Sequence, residues 1–433
     1  MKRRTFLKTS AAGLTILPSG ILKAGNSPNS KLNVAVIGVA NRGAANLNGV
    51  KGENIVALCD VNRNHLAKAA AAFPKAKTYE DWRLCLEQKD IDAVVCSTTD
   101  HTHAFVNMWA MNRGKHVYSE KPLANSVEEA HLVRKKYLEN KNKIATQMGT
   151  QIHASDNFRR VREMIRGGAI GVPESARAWV SRKPKVENYH VGAEAIPDWI
   201  NWDLWIGPAP MHPFSEKYFK NGCLTWNQFW DFGSGQIGDM ASHLMDLAYY
   251  GFDLGLPTSC KAQGSELHPD SCPVWLTAQW DHPETDWRPG VKVYWYDGGK
   301  KPGMPSRVFN PEALGKGVFF KGSEGTIYAD YGTRILIPKG NMTYYKAPVE
   351  EKDLIPSSIG HHAEWINACK TDLKTSCNFD YSGKIIHNNL LALVAYRCGK
   401  PIKWDPKTLT SPDTPEAAQY VKKTYREGWV LDG

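Results

Sequence analysis

The chain has 433 residues, 42% of them hydrophobic, and a formal net charge of +10. That length implies two domains, each large enough for its own core. Five of the positive charges (Lys2, Arg3, Arg4, Lys8 and Lys23) crowd the N-terminus, which leaves about +5 on the rest and no basic run; nucleic acid is thereby excluded as an expected partner.

The first stretch, "KRRTFLK", has paired arginines followed by the broken apolar run "AAGLTILPSGIL". Gly13 and Pro18 make that run too short and too interrupted for a membrane anchor. Residues 1–30 therefore read as a twin-arginine signal peptide and linker, with cleavage expected near Ala24. The expected transport partner is the twin-arginine translocase, the expected destination the bacterial periplasm. No later stretch is apolar enough to cross a membrane. Nine cysteines are scattered without C-x-x-C or zinc-finger spacing, and the odd count excludes complete pairing. Folding before export predicts mostly buried free thiols.

From Lys31 apolar runs alternate with helical stretches. "LNVAVIG", "NIVALCD", "AVVCST", "HVYS" and "IATQMG" read as strands, and "NRGAANLNGV", "HAFVNMWAMNRG" and "SVEEAHLVRKKYLENK" as helices. The alternation predicts a parallel doubly wound sheet over 31–152. The turn after the first strand is Gly38-x-Ala40-x-x-Gly43, with Asn41 and Arg42 inside it. Glycines there let the backbone approach a pyrophosphate seated on a helix N-terminus. Asp60 ends the second strand, placed to bond ribose hydroxyls and to repel a 2′-phosphate. NAD is the expected cofactor, and Arg63 is the residue that could argue for NADP.

Next come "TTDHTHAF" and "VYSEKPLANS". Here the chain resembles the Gfo/Idh/MocA oxidoreductases, whose E-K-P motif it matches at Glu120, Lys121 and Pro122. The resemblance implies nucleotide contacts from Thr98, Asp100 and His103, with Thr99 replacing the family's proline, and Gln147 joins the expected cofactor set. "GSGQIGDMASHLMD", "GSEGTIYAD", "HHAEWINACK" and "GKPIKWDP" look like later landmarks of the family, in its secreted, sugar-directed branch. The implied fold class is α/β: an N-terminal Rossmann domain, then a C-terminal substrate-binding and oligomerisation domain over 153–433 with an open, mostly antiparallel sheet. "SARAWVS", "PVWLTAQWD", "VKVYWYD", "GVFFKG", "TIYAD" and "RILIP" suit its strands. A homodimer or homotetramer is expected.

Asp239, His243 and Asp246 are spaced i, i+4, i+7, on one face of a helix. Hydride removal from a sugar alcohol requires loss of the hydroxyl proton, which a histidine with pKa near neutrality can accept. By resemblance Asp239 and His243 form the substrate pair, and Asp246 is expected to orient His243 or cap local structure. A mixed N/O triad can also bind a divalent ion, but proton transfer explains the motif better and no metal is assigned. Lys121 is the second catalytic candidate, its pKa expected to be lowered by desolvation beside the nicotinamide. The intervening segment is dense in aromatics, most of them core; Trp226 and His153 are candidate pocket residues against a sugar.

The leading expectation is an exported NAD-dependent sugar or glycoside oxidoreductase that makes a keto-sugar, of which a 3-keto-glycoside is one form. The alternatives are an NAD-dependent glycosidase working by transient oxidation and elimination, and a non-catalytic sugar-binding protein. The glycosidase branch carries a different glycine–histidine motif where this chain has "GSGQIGDM".

Overall fold

The computed structural model describes residues 30–192, 194–303, 314–340 and 354–433. The expected signal segment and cleavage site fall in residues 1–29, outside the described residues.

Six short strands form the first sheet: β1 (Asn33–Ile37), β2 (Asn54–Cys59), β3 (Lys77–Tyr79), β4 (Ala93–Cys96), β5 (His116–Ser119) and β6 (Thr146–Met148). Their order is β3-β2-β1-β4-β5-β6, with every pairing parallel. Helices cover both faces of such a sheet, so its central strands are apolar on both sides. β4 is buried at every position and β1 at all but its first. Strand order reverses between β1 and β4, and ligands of open α/β sheets bind outside the carboxyl ends there.

The second sheet comprises β7 (Pro173–Val180), β8 (Ser259–Gly264), β9 (Leu276–His282), β10 (Val291–Tyr296), β11 (Lys316–Gly322), β12 (Gly325–Ala329), β13 (Arg334–Pro338) and β14 (Ile402–Lys403). Its order is β13-β12-β11-β7-β10-β9-β8-β14. Only the β7–β10 pairing is parallel. Against it packs the helix Gly235–Phe252, hereafter the site helix, which also touches the helices Asp156–Arg166 and Phe379–Cys398. All of its residues except Tyr250 are buried, as a helix enclosed on every side requires.

The two domains are stitched at a second place. The helix His361–Lys370 of the second domain lies on the helix Arg42–Val50 of the first. His362 stacks on Tyr118, its Nε2 is 3.0 Å from Asn46 Oδ1, and Lys370 pairs with Glu53 at 2.8 Å. Among the described residues no helix is long and apolar enough to cross a membrane. All nine cysteines are unpaired, and seven are buried.

Several histidines are buried in neutral form. Burial pushes His101 down to about 4, and His243, His282, His361 and His387 down to about 3. The unfolded chain protonates all five below about pH 6.5. The folded chain does not, so stability is lost as pH falls. Asp100, pushed up to about 8, and Asp297, pushed up to about 7, act oppositely, because burial favours their neutral forms. Burial also lowers His103, His131, His190 and His362 and raises Asp60 and Glu129, so nine lowered histidines outweigh four raised carboxyls. The melting temperature is therefore expected to fall steadily from pH 6.5 to pH 4.5, at about 1.4 kcal/mol per pH unit for each net proton. A melting temperature that stays level or rises over that range, followed by differential scanning fluorimetry, contradicts the assignment.

Candidate active site

The cofactor turn follows β1. Gly38 has φ +83°, and a Cβ there would lie 2.3 Å from Ser97 O. A Cβ on Gly43 would lie 2.0 Å from Gly38 O. Neither position tolerates a side chain, and the open backbone between them is what a pyrophosphate needs. Asn41 takes a positive φ of 51°. Asp60 sits at the end of β2, where its Oδ2 accepts the Val39 N–H at 3.0 Å and its Oδ1 the Asn62 N–H at 2.9 Å. The carboxylate is thus held across the turn with lone pairs to spare for ribose hydroxyls. Arg63 is engaged elsewhere: its Nε and Nη2 donate to Glu80 at 2.7 and 3.1 Å, and Nη1 donates to the Asp198 carbonyl. Asp60→Ala is expected to weaken NAD binding and relax discrimination against NADP, as read by fluorescence titration with both cofactors. A native preference for NADP would mean that Arg63 governs the loop.

Glu120 lies behind the turn. Its Oε1 accepts from Arg42 Nε at 3.0 Å and from Asn46 Nδ2 at 2.9 Å. The next peptide, Lys121–Pro122, is cis. Lys121 then reaches out of the Rossmann domain and donates to Asp239 Oδ1 on the site helix. Arg182, just past β7, donates to Asp239 Oδ2 at 2.7 Å. Gly238 lets the site helix begin here, since a Cβ there would lie 2.1 Å from Ser234 Oγ. Burial alone would raise the Asp239 pKa, but Lys121 and Arg182 outweigh it and hold the carboxyl below its ordinary value. Asp100, at the start of the helix Asp100–Asn112, is close enough to act electrostatically on Lys121.

His243 lies one turn after Asp239 on the same helix. Its Nδ1 is buried and without a partner, and Tyr331 meets its ring edge-on at 6.2 Å. A neutral imidazole beside an ammonium and a carboxylate can accept a proton from a ligand and pass it on.

Two electrostatic expectations are corrected. Lys121 does not have a lowered pKa: burial pulls it down, but Asp239 and Asp100 pull harder and raise it. His243 is not near neutrality: burial, with Lys121 adding to it, pushes the imidazole down to about 3.

Several expected site residues are engaged with protein partners. Asp246 does not orient His243. Its Oδ1 lies 2.8 Å from His153 Nδ1 and accepts the Tyr381 hydroxyl at 2.7 Å. His153 is 1% exposed. Gln147 is wholly buried, with Nε2 donating to His361 O at 3.2 Å and Oε1 accepting the Cys377 N–H at 3.1 Å; it ties β6 to the second domain and offers nothing to a cofactor. His103 is also buried, Nδ1 lying 2.7 Å from Pro122 O and Nε2 3.0 Å from Thr98 O, so it fastens the Thr98 loop to Pro122. Thr98 in turn accepts the Thr102 hydroxyl at 2.7 Å. Trp226, 8% exposed, belongs to an aromatic cluster with Trp202, Trp205, Tyr218, Phe229 and Phe232. Arg182 and Tyr331 were missed by sequence reasoning. Neither belongs to a motif, and no spacing pointed to them.

Residues 32–148 match the NAD-binding Rossmann-fold model of the Gfo/Idh/MocA oxidoreductases, and residues 157–431 match that family's C-terminal alpha/beta domain. The chain belongs to the Gfo/Idh/MocA oxidoreductase family. Among characterised relatives, inositol 2-dehydrogenase of Salmonella typhimurium is 29% identical over 177 residues, which are 39% of this chain and 48% of that protein. Levoglucosan dehydrogenase of Pseudarthrobacter phenanthrenivorans is 28% identical over 199 residues, 45% of this chain and 41% of that protein. An alpha-N-acetylgalactosaminidase of Bacteroides fragilis is 33% identical over 120 residues, 25% of this chain and 28% of that protein. The chain therefore spans half or less of the length of these relatives. Of solved structures, the WlbA dehydrogenase from Bordetella pertussis, determined with NADH and UDP-GlcNAcA, has a TM-score of 0.61 at 17% identity, covering 87% of this chain and 99% of that one. Levoglucosan dehydrogenase with NADH and levoglucosan has a TM-score of 0.58 at 18% identity, covering 86% and 99%. These likenesses establish the fold.

Proposed function

We propose that the protein is an exported NAD-dependent oxidoreductase that converts a secondary hydroxyl of a sugar or glycoside into a ketone. The carrying observation is the ion pair by which Lys121 of the NAD-binding domain meets Asp239 of the second domain, with His243 one turn further on. A substrate there touches both domains at the carboxyl ends of β1 and β4. NAD, when bound, supplies the hydride acceptor. Lys121 donates a hydrogen bond to the reacting oxygen, Asp239 orients neighbouring hydroxyls, and neutral His243 takes the hydroxyl proton. The similarity to inositol and levoglucosan dehydrogenases supports a polyol or sugar substrate.

The test is incubation with NAD and a panel of sugars and glycosides, following reduced-nicotinamide absorbance and product mass. Absence of both NAD reduction and any product two hydrogens lighter, over a broad panel, overturns the reading. The stretch matched to the Bacteroides fragilis glycosidase favours a second reading, cleavage through transient oxidation; release of aglycone from aryl glycosides without net NAD reduction would select it.

Export follows from the paired Arg3 and Arg4, and seven buried, unpaired cysteines accord with folding before translocation. A periplasmic enzyme has no evident pool of free NAD, so the cofactor is inserted beforehand and held tightly. The purified protein is expected to carry about one nicotinamide per chain after gel filtration, in a homodimer or homotetramer. Empty protein with weak NAD affinity contradicts this.

A further inference from the structure

Away from the cleft, three side chains from distant parts of the chain meet in the core. His153 comes from the turn Gln151–Ala154, Asp246 from the site helix, and Cys377 from just ahead of the helix Phe379–Cys398. One ligand atom from each lies within 4.8 Å of the others, and all three residues are buried. Asp246 Oδ1 is used by His153 and by Tyr381, but Asp246 Oδ2 is buried and has no partner. An unsatisfied oxygen on a fully buried carboxylate is costly. This one belongs to a residue whose carboxylate already lies among metal-ligating atoms.

We propose that His153, Asp246 and Cys377 form a structural site for a divalent transition-metal ion of zinc's class. The donor set decides the class. Imidazole nitrogen, carboxylate oxygen and thiolate sulfur suit a borderline-soft ion. Magnesium and calcium prefer shells of oxygen alone. Three protein ligands and one small oxygen ligand complete zinc's usual four. Tyr381 supplies the outer hydrogen bond that fixes the ligating carboxylate. Charge also balances, since a dication with one carboxylate and one thiolate is neutral. Metal binding releases the protons that the ligands carry. Asp246 lies one turn beyond His243, so the ion fixes the site helix against the turn Gln151–Ala154 and the start of the helix Phe379–Cys398.

The test uses the full chain purified from zinc-supplemented medium. Elemental analysis is expected to find about one zinc per chain. Cobalt(II) put in its place is expected to give a thiolate-to-cobalt charge-transfer band in the near ultraviolet. Cys377→Ser should abolish that band and weaken metal retention by about tenfold or more, whereas Cys223→Ser, at the exposed cysteine, should keep both. Metal-free protein after equilibration with zinc overturns the proposal and leaves a plain His153–Asp246 ion pair. So does a zinc content unchanged in Cys377→Ser. If that variant fails to fold, the wild-type cobalt spectrum decides, and the lack of a thiolate band overturns the site.

Discussion

Lys121→Met is expected to lower kcat by about a hundredfold or more while leaving NAD affinity nearly intact. The substitution keeps the length of the side chain and removes the charge that meets Asp239. His243→Asn should have a similar effect, since an amide keeps a hydrogen-bonding shape but cannot act as a base. Both groups serve one proton path, so the double variant should lose less than the product of the single losses. The pH profile adds a separate check. A histidine base is active above its pKa and protonated below it. With His243 held down to about 3 by burial and by Lys121, its acid limb falls far below the working range. Oxidative kcat/KM is expected to show no inflection at the ordinary histidine value of about 6.5. An inflection there that disappears in His243→Asn would mean that water reaches the imidazole. Near-normal turnover in His243→Asn would make the histidine structural.

The second large effect is on stability. Asp239→Asn removes the one carboxylate that both Lys121 and Arg182 hold. Two cations then face one another around a buried amide. The loss is expected to be about 3–5 kcal/mol, the range for breaking a buried pair, with a corresponding drop in the urea midpoint. Adding Lys121→Met to that background removes one stranded charge and should recover part of the loss. If Asp239→Asn unfolds at the parent's urea concentration, solvent already screens the two cations.

The Rossmann half was legible because buried parallel strands read as unbroken apolar runs, and "NVAVI" and "AVVC" became β1 and β4. β3 escaped because three residues at a sheet edge carry no pattern. β8, "SCKAQG", escaped because its burial alternates weakly and its polar residues resemble a loop. The E-K-P and D-x-x-x-H motifs located Lys121, Asp239 and His243, since helical spacing fixes a face. Motif position does not fix where a side chain points. Gln147 and His103 stand at the expected places in sequence, yet both are consumed by backbone partners. Arg182 lies past the end of β7, where neither period applies. The His153, Asp246 and Cys377 cluster was illegible for a related reason: only the tertiary fold brings its three members together.

The grip of Glu80 on Arg63 bears on how coenzyme preference could evolve. Replacing Asp60 alone lifts the repulsion of a 2′-phosphate but leaves the guanidinium moored to its acid and to the Asp198 carbonyl. Replacing Glu80 alone loosens that mooring while the Asp60 carboxylate still bars the way. Each single step leaves one obstacle in place, so a full switch of coenzyme calls for both substitutions.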